Sequence, residues 1–203
     1  MRKIKCFGLM LVLCMGVFTG CAGKMNVTTS TVYVDKKGHI ISVDVEELNQ
    51  EDYDVSELEE YITENVTAYT AEYGEVVSKE AFKTEDGMAK LEMKYDSYEH
   101  YAKLNGIEMY VGTVVQAQAD GYNFDTKFNS VSEGEVKGSA TKDDVMADDD
   151  YKVAIIKANV NVQVPGIIYY VSAQDTEVIG KNTVSITGEG ASEEAALTYV
   201  IYK

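Results

Sequence analysis

YDVSELEEYITENVTAYTAEYG, residues 53–74, carries the strongest helical period in the chain. Its apolar residues Val55, Leu58, Ile62, Val66, Tyr69 and Tyr73 advance by steps of three and four, which places them on one face of an α-helix. Asp54 stands at the N-cap with Glu57 three residues on, the spacing of a capping box, and Tyr53 and Leu58 occupy the hydrophobic-staple positions. Glu57, Glu59 and Glu60 sit where the helix dipole favours acids, and Gly74 supplies the stop. The flanks read as strands, and that contrast sets the fold class.

Upstream, TVYVDKKGHIISVDV alternates on both sides of DKKG, with Val32 and Val34 before the turn and Ile41, Val43 and Val45 after it. This is a β-hairpin pattern with Gly38 in the loop. Downstream, GEVVSKEAFK, MAKLEMKY and NFDTKFNSV are strand candidates. Two short helices are expected between them. Asp96 and Glu99 cap DSYEHYAKLNG, and Thr113 and Gln116 cap GTVVQAQADG; Gly106 and Gly121 end them. The second segment has a strand as its alternative, through Val111, Thr113 and Val115. From about Gly134 the chain turns to short β-type runs: KVAIIKANVNVQVPGIIYYVS, TEVIG, NTVSIT and LTYVIYK. Pro165 suits a turn or an edge kink. The expected fold class is α+β. An N-terminal β-hairpin and a long amphipathic helix lie on a mostly antiparallel sheet, and the C-terminal portion is β-rich. Residues 31–203 read as a single α+β domain, with a subdivision near 131–140 as the alternative.

The start of the chain has another purpose. MRKIK is basic, CFGLMLVLCMGVF is an apolar run of Cys6 to Phe18, and Thr19 and Gly20 precede Cys21. A bilayer-spanning helix needs about 20 apolar residues, so the run is too short to cross. A basic start, a short apolar core and small residues describe a secretory signal peptide over residues 1–20. VFTGC resembles the lipobox of bacterial lipoproteins, with Phe18 where leucine is usual. The resemblance implies a diacylglycerol thioether on Cys21 and cleavage that leaves Cys21 as the new N-terminus. Residues 21–30 then form the lipidated N-terminus and a tether. Two acyl chains make such an attachment lasting. The alternative is an ordinary secreted protein with Cys21 as a free thiol. The stretches HIISVDVEELN, EMKYDSYEHYAKLNG and VGTVVQAQADGYNF resemble uncharacterised small lipoproteins of bacterial surfaces, a resemblance that brings no activity and no site residue.

Charge narrows the partners. Residues 1–20 take away Arg2, Lys3 and Lys5 and no acid, so 18 basic and 34 acidic residues become 15 and 34, a net charge of −19. A phosphate backbone needs a basic face, so no nucleic acid is expected as partner. Anionic lipid does not attract this surface either, which leaves membrane attachment to the lipid on Cys21. Cys6 and Cys14 leave with the signal peptide, so the mature domain has no disulfide, and its length suffices for a core without one.

No catalytic pattern stands out. His39 and His100 lack metal-ligand spacing, no GxSxG elbow occurs, and GEG at Gly188–Gly190 lacks the third glycine of a dinucleotide loop. TKDDVMADDDYK offers Asp143, Asp144, Asp148, Asp149 and Asp150 as calcium candidates, without the EF-hand order; a solvated acidic loop is the competing reading. The chain has 15 tyrosines against 5 phenylalanines and no tryptophan, and Tyr95, Tyr98 and Tyr101 recur at steps of three as a candidate interface; core packing is the competing reading. The expectation is a lipoprotein on the extracytoplasmic face of the cell membrane. It acts as a non-catalytic binding or structural module toward an unidentified surface protein or ligand, with no cofactor and no enzyme activity. An envelope hydrolase and a solute-binding lipoprotein of a transporter are the alternatives.

Overall fold

The computed structural model describes residues 24–48, 54–188 and 195–203. Cys21 with the expected signal peptide, Tyr53 of the expected staple, and Gly190 lie outside the described residues. In chain order the strands are β1 (Thr31–Val34), β2 (Ile40–Glu47), β3 (Val77–Glu85), β4 (Met88–Tyr95), β5 (Met109–Thr113), β6 (Phe128–Ser132), β7 (Glu135–Ala140), β8 (Lys152–Ile156), β9 (Asn161–Gln163), β10 (Ile168–Ser172), β11 (Thr176–Gly180), β12 (Thr183–Ile186) and β13 (Thr198–Tyr202). The helices are α1 (Val55–Tyr73), α2 (Tyr98–Asn105), α3 (Val114–Ala119) and α4 (Lys142–Val145). The mixture is α+β.

The strands form two sheets rather than one. The first has the order β11-β12-β9-β1-β2-β4-β3 and the second β5-β8-β13-β10-β6-β7. All pairings among the described residues are antiparallel except β1 with β9, which run parallel. The first sheet takes strands from both ends of the chain, so the β-rich C-terminal portion is shared between the two sheets. Residues 131–140 hold the turn between β6 and β7, where Glu133 (φ 55°) and Gly134 (φ 80°) are both left-handed.

The two sheets bury a common core. Val32, Val34, Ile40, Met93 and Tyr95 of the first meet Met109, Ala154, Ile156, Val200 and Tyr202 of the second. A second core on the far face of the second sheet joins Val153, Ile155, Tyr199 and Ile201 to Val114 and Ala117 of α3 and Val145 of α4. Strands β8 and β13 are thus covered on both faces, which is why KVAII and LTYVIYK read as apolar runs rather than alternating ones.

Local chemistry fixes the ends of the helices. The Asp54 carboxylate accepts from the amides of Ser56 (2.8 Å) and Glu57 (3.4 Å), and Gly74 closes α1 at φ 86°. On α1 only Tyr69 is buried; Val55, Leu58, Ile62, Val66 and Tyr73 are half-buried. The N-cap position of α2 is Ser97, one residue later than the Asp96 spacing suggested, and its side chain makes no capping hydrogen bond. Thr113 both ends β5 and caps α3 in a box with Gln116, so the segment expected as a helix with a strand alternative is a strand followed by a helix.

In the turn between β1 and β2, Asp35 accepts from the amides of Lys37 (2.7 Å) and His39 (2.9 Å), and its second oxygen contacts His39 Nδ1 at 3.0 Å. Burial pushes this carboxyl up, but the two amide donors and the His39 ring outweigh it and hold it below the ordinary aspartate value. A depressed folded-state pKa stabilises above the unfolded value and ceases to as pH falls through the folded one. Asp35→Ala is therefore expected to cost about 1 kcal/mol at neutral pH. The gap between variant and wild type in urea midpoint should close under acid conditions.

Candidate functional site

Strand β4 turns Met93 and Tyr95 into the core, so the residues that alternate with them, Lys90, Glu92 and Lys94, face the other side of the first sheet. There Glu92 is 1% exposed, and neither carboxylate oxygen has a hydrogen-bond partner. Its register neighbours are Val43 on β2 and Ala81 on β3, neither of which offers a side-chain donor. An ionised carboxylate stripped of water and left unpaired costs several kcal/mol, and such groups mark functional positions or ligand contacts. Farther along the same cross-strand row lies the other unpartnered buried side-chain atom among the described residues, Asn161 Oδ1 on β9.

The cover over Glu92 comes from the start of the described chain. Lys24–Asn26 forms a 3₁₀ turn with Met25 buried, so the described part of the expected tether lies against the sheet. Lys90, two residues before Glu92 on the same face, does not pair with it. Its ammonium donates to the carbonyls of Met25 (3.2 Å) and Val27 (2.7 Å). The Lys24 ammonium sits 5.1 Å from the centre of the Tyr33 ring. Burial, and next the negative charge of Glu92, push the Tyr33 hydroxyl up. Together Met25, Asn26, Ala81, Lys83, Glu85, Lys90 and Glu92 enclose a cavity of 290 Å³. The hairpin of β3 and β4 carries five of these, and its Asp86-Gly87 turn, with both residues left-handed, fixes which of them face the cavity.

Other cavities lack such a group. A cavity of 740 Å³ is walled by Asp125, Thr126, Lys127, Ser172 and Gln174, none of which is both buried and unpartnered. A groove of 230 Å³ under α1 runs past Ile62, Val66 and Leu91 to Asp44. Burial pushes the Asp44 carboxyl up, against the hydroxyl that Ser42 donates to it.

Three of the five aspartates offered for calcium are engaged in local structure. Asp144 accepts from the Thr141 amide and hydroxyl at 2.8 Å each. Asp148 accepts from the Asp150 amide at 3.0 Å, and both pair with Lys203, at 2.9 and 3.3 Å. Asp143 and Asp149 are exposed, and among the described residues no three metal-ligating side chains gather. The tyrosine trio is packing rather than an exposed patch. Tyr95 and Tyr101 are 2% and 4% exposed and meet edge to face at 5.1 Å in the core. Tyr98 leans on Tyr110, 5.4 Å away. Burial holds the Tyr95 hydroxyl up at about 12. His100 Nδ1 contacts the Tyr69 hydroxyl at 3.0 Å. Ser139 and Lys142 have the SxxK spacing of a serine–lysine nucleophile, but Ser139 lies on β7 and the Lys142 ammonium pairs with Asp125 at 3.2 Å.

No family model, no curated protein and no solved structure matches the chain. The chain is an α+β protein of two sheets with a buried carboxylate, Glu92, lining a cavity.

Proposed function

We propose that this chain is a lipoprotein anchored through Cys21 to the extracytoplasmic face of the cell membrane, and that it acts there as a non-catalytic binding module. Its frame is an N-terminal hairpin and a long amphipathic helix packed on the strands. The observation that carries the binding reading is the unpaired, buried carboxylate of Glu92 at the base of a cavity. A preformed charge of this kind holds a ligand in place without a second reacting group. The anchor reading is supported by the basic start, the short apolar run and VFTGC, and among the described residues no helix is long and apolar enough to cross a membrane. With the cavity wall at Met25 and Asn26, a lipid on Cys21 keeps the site within a few residues of the bilayer surface.

The test is fractionation of Cys21→Ser. The variant should leave the membrane fraction or accumulate as the uncleaved precursor. If it fractionates and migrates as wild type does, the anchor is elsewhere or absent.

A further inference from the structure

We infer that the Glu92 cavity binds a small zwitterion through a primary ammonium group. This deepens the binding-module reading and does not depend on the lipid anchor. Two acceptor oxygens with no donor call for a ligand group that carries several N–H donors and a positive charge. A primary ammonium supplies three donors in a compact head, while a quaternary ammonium supplies none.

The lysines complete the match. Lys90 and Lys83 are register partners on β4 and β3, two pairs along from Glu92 and Ala81 and so on the same face, and both line the cavity. The Lys90 ammonium is held by the Met25 and Val27 carbonyls, so it stays at the wall instead of collapsing onto Glu92. Lys83 is exposed at the mouth. A ligand whose ammonium reaches Glu92 presents its own anionic end to these two cations. Met25 and Ala81 give the short apolar link between the ends an uncharged wall. The cavity of 290 Å³ fits a head of this size and not a peptide. Ethanolamine phosphate has this chemistry, either as a free molecule or as the headgroup of a membrane lipid.

The purified full chain is titrated by calorimetry with ethanolamine phosphate and, separately, with choline phosphate. Ethanolamine phosphate should bind and choline phosphate should not. Glu92→Gln, which keeps the shape and removes the charge, should weaken binding about tenfold to a hundredfold. Lys83→Ala should weaken ethanolamine phosphate but leave ethanolamine itself unchanged. Addition of phosphatidylethanolamine vesicles, with phosphatidylcholine vesicles as control, assigns the source: competition by the first alone points to the lipid headgroup, and competition by neither points to a free molecule. Either result supports the site. Absence of ethanolamine phosphate binding, or equal binding by Glu92→Gln, overturns the inference. Equal binding of both phosphates, lost together in Glu92→Gln, overturns the ligand class and keeps the binding module. Binding together with unchanged fractionation of Cys21→Ser removes the anchor and keeps the site.

Discussion

Deletion of Thr198–Lys203 is expected to leave the chain unfolded, although it removes only the last strand in sequence. In space β13 is central: it pairs with β8 from Thr198↔Ile156 to Tyr202↔Lys152 and with β10 through Val171↔Val200. Its loss splits the second sheet between β8 and β10. All five of its residues are buried, and they alternate between the two cores: Val200 and Tyr202 point into one, Tyr199 and Ile201 into the other. A fully buried aliphatic or aromatic side chain contributes about 1.5–3 kcal/mol. Four of them approach the whole net stability of a domain, about 5–15 kcal/mol. The Ser172 hydroxyl and the backbone of Ile167 also lose their partners Tyr199 and Lys203. The truncated chain should show no cooperative melt by circular dichroism and be digested at protease levels that spare wild type. Lys203→Ala is the control. Its ammonium pairs with Asp148 and Asp150 at the surface, where solvent screens the attraction, so that variant should melt near wild type. A cooperative melt in the truncated chain would mean that β8 and β10 close on each other without β13.

The class of fold was legible because local periods are written locally. MAKLEMKY alternates and is β4 from end to end, and KVAII is the apolar run of a strand covered on both faces. The partition into two sheets was not legible, since it depends on pairings with no local signature. β1 lies beside β9, across most of the chain, in the single parallel contact among the described strands. The candidate site was hidden for a related reason. Lys90, Glu92 and Lys94 alternate with Leu91, Met93 and Tyr95, which by period two assigns all three charged residues to water. Lys94 is indeed exposed. Glu92 is not, because Met25 and the 3₁₀ turn fold back over it, and that turn lies in a small-and-polar stretch with no period of its own. The tyrosines illustrate the converse. Steps of three suggested one helix face, but Tyr95 ends β4 while Tyr98 and Tyr101 belong to α2, so the spacing spans a strand end and a helix start.

Glu92→Met is expected to raise the stability of the protein. Met keeps the length of the side chain, removes a charge that no protein group satisfies, and adds apolar contact beside Met25, Val43 and Ala81. Substitution of buried ionic groups by apolar residues of similar volume gains up to about 4 kcal/mol even where the charges were paired. At about 2–4 °C per kcal/mol for a chain of this size, the melting temperature should rise by several degrees. Lys90→Met should move the other way. It strands the carbonyls of Met25 and Val27 and loosens the cover, at a cost of about 1–3 kcal/mol. The opposite signs separate two roles that a contact inventory would merge: Lys90 holds the fold together, whereas Glu92 is held in place by the fold at a net cost. A group kept at such a cost is expected at a site where binding, not stability, sets the requirement. If Glu92→Met instead lowers the melting temperature, the carboxylate has a stabilising partner within the protein, and the case for the cavity as a preformed binding site fails with it.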